Sequence, residues 1–280
     1  MSRLDVKKTY KLYIGGKFPR SESGRSYPAL DSDGAVLARV ASASRKDLRD
    51  AVRVARSATS SWASATGYHR GQVLYRIAET LEDRTGALVD DIMASGVSAA
   101  KARQEVGESV DRMVWYAGWA DKFAQILGNL NPVAGPFFNI SAPEPTGVVG
   151  VVAPEEPSLL GLVSRLAPVL VPGNTAVMLA SETYPMPAIT FAEVLNSSDV
   201  PGGVVNLLTG SKDALIPWLA DHMDVNAVDA GGATPEQVER IQQGAVHNVK
   251  RVVLPDGTGQ SPYRVAAFTE TKTVWHPKGL

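Results

Sequence analysis

Apolar residues in the first half of the chain recur at the three- and four-residue spacing of an amphipathic helix. Leu48, Val52 and Ala55 keep this spacing, and Ser44 with Asp47 forms the capping box that opens such a helix. The pattern predicts three helical segments: one through about Trp62, one carrying Tyr75, Ala78, Leu81 and Leu88, and a longer one from about Ala100 to Ile126.

From Gly147 onward the pattern changes to short apolar runs that alternate with helical segments. Val148–Ala153 is apolar throughout, as expected of a parallel strand buried on both faces. Further strands are predicted at Thr175–Leu179, Val204–Leu208, Val225–Val228 and Arg251–Leu254, and helices at Leu159–Leu170, Met186–Leu195, Lys212–Ala220 and after Thr234. Strands at this spacing imply right-handed crossovers. The predicted fold class is therefore α/β: a doubly wound, Rossmann-like parallel sheet preceded by N-terminal helices.

Two short extended segments lie outside these patterns. Tyr13–Phe18 is predicted to be a strand, a Gly-Gly turn and a second strand. Pro132, Gly135 and Pro136 interrupt helical structure, and Phe137–Ser141 is predicted to be a strand that follows the break.

Charge and composition exclude several classes of partner. The 280 residues include 28 Lys and Arg against 29 Asp and Glu, so no overall field attracts nucleic acid or an anionic membrane. The first residues lack the apolar core of a signal peptide, and Leu159–Val171 is too short to span a bilayer. The chain contains no cysteine and hence no disulfide framework. We expect a cytoplasmic protein.

The residues alone indicate little catalytic chemistry. The four histidines lack the spacing of metal ligands, so no metal site is predicted. Glu155 and Glu156 are adjacent carboxylates before a helix, where they are better placed to interact with the helix dipole than to act as an acid–base pair. Gly231 and Gly232 lie between a strand and a helix, which fits either a phosphate loop or a tight turn.

Several segments in combination resemble the aldehyde dehydrogenase family: Trp115–Lys122, Gly147–Pro154, Pro172–Thr175 and Lys250–Leu254, with Ala267–Trp275 similar to the strand that closes the family's C-terminus. That family oxidises aldehydes with NAD through a cysteine thiolate, which this chain lacks. The resemblance implies that residues 256–261 replace a whole catalytic domain. It assigns residues 1–131 and 146–255 to a cofactor-binding-like domain, and residues 132–145 and 262–280 to a small oligomerisation hairpin and strand.

The family's catalytic positions are changed in this chain. Glu156 occupies the place of the asparagine whose amide holds the oxyanion, and a carboxylate there would repel the developing charge. Pro255 occupies the place of the general base, with Asp256 one position away. Together with the missing cysteine, these changes imply that the chain has no catalytic residues of its own.

The cofactor positions are partly kept. Glu182 matches a ribose-binding glutamate, but Leu179 replaces the lysine that acts with it. Gly232 and Thr234 match the pyrophosphate loop, in which Ala233 replaces a serine and Gln237 replaces a glycine. The resemblance leaves Glu182, Gly232 and Thr234 as vestigial cofactor residues, and we expect NAD to bind weakly or not at all.

The small hairpin and strand imply assembly. The resemblance suggests that Phe137–Glu144 and Phe268–Trp275 pair with another subunit, with interface residues at Phe137, Phe138, Ile140, Phe268, Val274 and Trp275. The leading hypothesis is a non-catalytic subunit that assembles with a full-length aldehyde dehydrogenase, as in the branch where a degenerate second unit accompanies a catalytic one. The alternatives are a nucleotide-binding sensor and a self-assembling structural protein. A strand that only completes the hairpin of its own chain is a further reading.

Overall fold

The computed structural model describes residues 8–254 and 259–279. The N-terminal part forms a three-stranded sheet and five helices: β1 (Thr9–Tyr10), β2 (Ser26–Leu30), β3 (Val36–Ala41), α1 (Arg45–Ser64), α2 (Gly67–Asp83), α3 (Thr85–Met93), α4 (Ala99–Ala117) and α5 (Phe123–Leu127). The predicted capping box at Ser44 and Asp47 opens α1, which buries Leu48, Val52 and Ala55.

The predicted long helix is interrupted, because α4 ends at Ala117 and α5 begins only at Phe123. The chain turns after Gly118, where Trp119 N–H donates to Tyr116 and Ala120 N–H donates to Ala117 in place of regular helical bonds. Glycine favours this break because it is a weak helix former. The turn places Phe123 in the core.

The predicted strand–helix alternation is confirmed in the second half: β4 (Asn129–Asn131), β5 (Phe137–Pro145), β6 (Val148–Val152), α6 (Leu160–Leu170), β7 (Thr175–Leu179), α7 (Met186–Asn196), β8 (Val205–Leu208), α8 (Lys212–Asp221), β9 (Ala227–Asp229), α9 (Pro235–Ala245), β10 (Arg251–Val253), α10 (Pro262–Ala266) and β11 (Thr269–Pro277). The five parallel strands are ordered β10-β9-β6-β7-β8. This is the predicted doubly wound fold.

Each face of the parallel sheet has its own core. One face, with Val149, Val151 and Met178, packs against α2, α4, α6 and α7. The other face, with Val148 and Val152, packs against α1, α8 and α9. Neighbouring residues of β6 thus enter different cores, which is why the strand is apolar at nearly every position.

The predicted turn at Gly15 and Gly16 is present, with φ of +63° and +74°, a conformation that suits glycine. Its flanks form only isolated bridges instead of two strands: Ile14 pairs with Lys17, and Tyr13 pairs with Leu207 of β8. Tyr13 thereby covers an edge of the parallel sheet. The hairpin of β2 and β3, which pairs with β1, was not predicted from the sequence.

The third sheet, ordered β11-β5-β4, is antiparallel and is called the ribbon below. It begins earlier than the predicted boundary at residue 132, because Asn129–Asn131 pairs with Asn139–Ser141. The predicted strand segment 262–280 contains the helix α10 before β11 starts, and Val265 of α10 is fully buried. Of the predicted linker 256–261, residues 256–258 lie outside the described residues.

Candidate functional site

The candidate site lies at the carboxyl ends of the parallel strands, where doubly wound sheets bind their ligands. The loops after β6 and β9 run to opposite faces of the sheet, which makes the gap between these two strands the switch point. The residues at this edge follow four strands: Glu155 after β6, Ser181 and Glu182 after β7, Lys212 after β8, and Gly232 and Thr234 after β9.

Lys212 occupies the centre of this edge. Its residue is only 4% exposed, and its ammonium Nζ donates to the carbonyl of Ala153 at 2.6 Å and forms an ion pair with Glu155 Oε1. Lys212 is the first residue of α8, so its side chain runs back across the strand ends. Neither its burial nor its partner follows from the sequence pattern.

Glu155 is held by two further groups of the same edge. Its Oε2 accepts from Ser181 Oγ at 2.7 Å and from the Thr183 amide at 2.9 Å. Burial by itself raises the pKa of the Glu155 carboxyl, but the hydrogen bonds from Lys212, Thr183 and Ser181 outweigh burial and lower it below its ordinary value. Glu155 is therefore an ionised structural group and not a proton donor.

Glu182 is exposed, as a ligand-binding carboxylate would be, but one of its oxygens already has a partner. Its Oε2 accepts from the backbone N–H of Lys212 at 3.0 Å. This bond satisfies one of the free amides at the start of α8. Glu182 therefore stabilises a helix N-terminus in this chain.

Gly232 and Thr234 shape the loop before α9. A Cβ at Gly232 would lie 2.3 Å from backbone atoms of Ala153 and Pro154, so packing of two loops requires the glycine. Thr234 is the N-cap of α9 in a capping box with Gln237. Gln237 also donates to Asp213 Oδ1 at 2.7 Å, which links α9 to α8.

A groove of about 460 Å³ remains open between α8 and α9. Its walls are formed by the polar and apolar side chains of Asp213, Ile216, Pro217, Thr234, Glu236, Gln237 and Arg240. The groove includes Asp213, the residue that follows Lys212 in the chain, and could admit a small molecule.

A buried ion pair lies beside the switch point. Arg165 of α6 and Asp229 of β9 approach to 3.7 Å with side chains 4% and 2% exposed. Burial raises the pKa of Asp229 to about 6, although Arg165 and the Gly231 amide act in the opposite direction. Sequence analysis missed this pair, since an arginine in an apolar helix and an aspartate ending a strand carry no shared pattern.

Glu105 of α4 satisfies the N-terminus of α6. Its Oε1 accepts from the amides of Leu159 and Leu160 at 2.8 and 3.2 Å. Burial raises the pKa of Glu105, and the two amides offset part of that effect. A carboxylate of the chain thus takes the position at which a helix N-terminus would bind an external anion.

The ribbon is joined to the body by polar side chains of the body. Asn174 donates to the carbonyl of Phe268 at 2.9 Å, and Arg251 donates to the carbonyls of Ala267 and Thr269 at 2.8 and 2.7 Å. Beyond this junction β11 pairs with β5 without interruption, from Thr269 opposite Pro145 to Pro277 opposite Phe137.

The predicted interface residues divide into two groups. Phe268 is 1% exposed and belongs to the core of its own chain, so its prediction as an interface anchor is wrong. The others are partly exposed on the ribbon: Phe137, Phe138, Ile140, Val274 and Trp275. Phe268 differs because it precedes β11 and fills the space beside α10.

Comparison with known proteins identifies the family. A model of the aldehyde dehydrogenase family matches residues 20–275. The chain belongs to the aldehyde dehydrogenase family. It is 33% identical to the cytosolic 10-formyltetrahydrofolate dehydrogenase of Xenopus laevis over 94% of this chain and 30% of that protein. It is 32% identical to the cytosolic aldehyde dehydrogenase 1 of Elephantulus edwardii over 88% of this chain and 50% of that protein.

Solved structures of the family show the same fold. The NAD+ complex of an aldehyde dehydrogenase from Bacillus cereus superimposes with a TM-score of 0.82 at 26% identity, covering 88% of this chain and 50% of that one. PnpE from Pseudomonas sp. WBC-3 gives 0.81 at 27% identity with the same coverage. The chain therefore spans about half the length of these dehydrogenases.

The family positions can now be located in the fold. Leu179, in the place of the lysine, is 1% exposed and belongs to the sheet core. Glu156, in the place of the oxyanion asparagine, is exposed before α6. Pro255 and Asp256, at the place of the general base, lie outside the described residues.

The described residues contain neither a candidate metal site nor a candidate membrane span. Within residues 8–254 and 259–279, no three His, Asp or Glu side chains are close enough together to hold a metal ion. In the same part of the chain, no helix is both long and apolar enough to cross a membrane.

Proposed function

We propose that this chain is a non-catalytic subunit that assembles with a full-length NAD-dependent aldehyde dehydrogenase through its ribbon. The observation that carries the proposal is the ribbon itself. Strand β11 is nine residues long, pairs with β5 along its whole length, and is exposed from Glu270 to Pro277. Within the described chain, its outer edge has no strand beside it.

The register of the ribbon concentrates apolar side chains on one face. Val274 lies opposite Ile140, and Ile140 lies opposite Leu130 of β4, so the three form a row across the strands. All three side chains are about half exposed or more. Phe138 lies on the same face of β5, two residues from Ile140. An exposed apolar row beside an open strand edge is typical of a surface that pairs with another chain.

Hydrogen bonds and an aromatic contact connect the strands on the other face of the ribbon. Asn131 donates to Asn139 and Ser141 at 2.7 and 2.8 Å, and Ser141 and Thr273 share a hydrogen bond of 2.8 Å. At the far end, the rings of Phe137 and Trp275 pack edge to face. A ribbon fixed in this way keeps its free edge straight before a partner binds, which reduces the entropy lost on binding.

The absence of turnover is part of this proposal. The chain contains no cysteine, and only fifteen residues separate the end of β10 at Val253 from the start of β11 at Thr269. A segment of that length, part of which is α10, leaves no room for a second domain. Aldehyde oxidation would then belong to the partner.

The experiment mixes the purified chain with the full-length aldehyde dehydrogenase encoded in the same genome and measures the mass of the complex by light scattering. Val274→Lys places a charge in the apolar row and should weaken the complex at least tenfold. The matched control is Val246→Lys, at a valine that is 75% exposed after α9 and belongs to no strand of the ribbon. Equal complex formation by both variants would contradict the ribbon as the interface.

The same experiment distinguishes the self-assembling alternative. If the chain alone forms an oligomer that Val274→Lys dissociates, and mixing with the dehydrogenase adds no mass, the ribbon serves a homo-oligomer. Co-migration that depends on Val274 supports the hetero-oligomer.

A nucleotide-binding sensor remains the second candidate, and the groove between α8 and α9 favours it. The groove is bordered by Thr234, which the resemblance assigned to the cofactor loop. Calorimetric titration with NAD separates this candidate from both assembly models, since a micromolar dissociation constant would establish a ligand site.

A further inference from the structure

We propose that Lys212 and Glu155 close the family's cofactor cleft from inside, so that they replace the dinucleotide as the group that ties the loops of this edge together. The cofactor that the family implies does not fit the residues present in the cleft. This inference is independent of the assembly model, because it concerns a property of the isolated chain.

The first argument is the position of the lysine. Lys212 Nζ lies at the end of β6, the central strand, where it donates to the carbonyl of Ala153. A residue that is 4% exposed cannot offer its ammonium group to a ligand in solution. Its donors are directed into the protein, at Ala153 and Glu155.

The second argument is that the polar atoms of the cleft already have partners within the chain. Glu155 accepts from Lys212, Ser181 and Thr183, which brings the loops after β6, β7 and β8 to one carboxylate. Glu182 accepts from the amide of Lys212. A ribose or a pyrophosphate would have to displace these bonds, including the charge-assisted ones, which are the strongest.

The third argument concerns charge. A dinucleotide brings a pyrophosphate, whereas the carboxylates of Glu155 and Glu182 both bind Lys212, one through its ammonium group and the other through its backbone amide. Lys212 compensates Glu155 within the chain, which leaves no net positive charge from this pair for a phosphate. The neighbouring loop offers Ala233 and the capped amide of Gln237 in place of free donors.

A rival reading of the same geometry is that Lys212 substitutes for the ribose lysine lost at position 179. The two readings predict opposite effects of removing it. If Lys212 and Glu155 close the cleft, their removal creates affinity for the nucleotide. If Lys212 is a ligand, its removal abolishes affinity.

The main test uses the double variant Lys212→Ala with Glu155→Ala, which removes both charges and leaves no buried charge without its partner. The control is Lys46→Ala with Glu22→Ala, an ion pair of 3.0 Å on the surface. NAD and ADP are titrated calorimetrically into the wild-type chain and both variants. We expect at least tenfold tighter binding by the cleft variant than by the wild type, and no change in the control.

Two results would overturn the proposal: saturable micromolar binding by the wild type, or a folded cleft variant with no gain in affinity. If the cleft variant does not fold, lysine labelling of the wild type decides the question. Acetic anhydride should modify Lys212 at least ten times more slowly than exposed Lys46, as measured by mass spectrometry. Equal rates would mean that the lysine is open to solvent and does not close the cleft.

Discussion

At the scale of single residues, the polar groups of the candidate site serve the fold. Glu155 neutralises a buried lysine, Glu182 binds the first amide of α8, and Glu105 binds the first amides of α6. Each carboxylate contacts a loop or the start of a helix, which is also where an active site would place one. Their partners within the chain distinguish the two cases, because a group that is saturated internally has little to offer a substrate.

Asp229 provides a prediction about pH at this scale. Its pKa of about 6 in the folded chain exceeds the ordinary value of 3.8, so the folded state binds more protons between these values. Stability contributed by this group is fully present below about pH 4 and is lost as the pH rises through 6. At 1.36 kcal/mol per pKa unit, the loss is about 3 kcal/mol at most.

Asp229→Asn isolates this effect, because asparagine keeps an oxygen for the Gly231 amide but does not titrate. Urea unfolding at pH 4.5 and pH 7.0 should show that the wild type loses stability relative to the variant as the pH rises. A difference between the two proteins that stays constant with pH would show that Asp229 titrates normally in the fold.

At the scale of elements, the C-terminal segment has two distinct parts. α10 and Phe268 belong to the main core, whereas β11 extends into the ribbon. Removing residues 262–280 as one unit would therefore also remove the buried Val265 and Phe268 from the core. That deletion cannot test the ribbon by itself, since the loss of two buried apolar side chains lowers stability as well.

A chain that ends at Phe268 separates the two parts. We expect it to keep a cooperative thermal transition within a few degrees of the full chain, because β11 contributes no buried side chain after Thr269. It should no longer co-purify with the dehydrogenase partner. The chain that ends at Ser261 is the comparison, and its melting temperature should fall clearly below both. Normal assembly by the chain ending at Phe268 would place the interface on the helices.

At the scale of the whole molecule, the chain has the fold of the aldehyde dehydrogenase family over about half the length of the relatives it matches. Both faces of the parallel sheet are covered, and the ribbon is anchored by Asn174 and Arg251, although only fifteen residues lie between β10 and β11. The scaffold therefore does not depend on a catalytic domain for its core.

We predict that the purified chain oxidises no aldehyde and hydrolyses no ester, with NAD or with NADP. The reason is chemical: this sequence contains no cysteine thiolate to attack the carbonyl carbon, and the family resemblance implies Glu156 at the oxyanion position, where its charge would disfavour the transition state. Steady-state assays with a panel of aldehydes and one activated ester decide the matter. The control adds the full-length dehydrogenase, which should restore turnover in the same tube. Activity that co-purifies with the chain through successive columns would contradict the prediction.

The sequence by itself determined the fold class and most of the elements of the second half. Runs such as Val148–Val152 are apolar on both faces, and that pattern depends only on the strand being central. The capping box at Ser44 and Asp47 is equally local. The break after α4 could not be predicted in this way, because the need to bury Phe123 competes with helix continuation and depends on where the core lies.

Only the tertiary structure decided what the polar residues do. The sequence indicated that Leu179 and Gln237 weaken a cofactor site, but it gave no sign that Lys212 fills the space. Glu155 and Lys212 are 57 residues apart, and their contact exists because β6 and β8 end at the same edge of the sheet. Phe268 and Trp275 are both large aromatic residues of the C-terminal segment. Phe268 is buried because it precedes the ribbon, whereas Trp275 is exposed because it lies on the ribbon. The sequence specifies which chemical group each residue carries. Which groups contact one another depends on how distant segments pack.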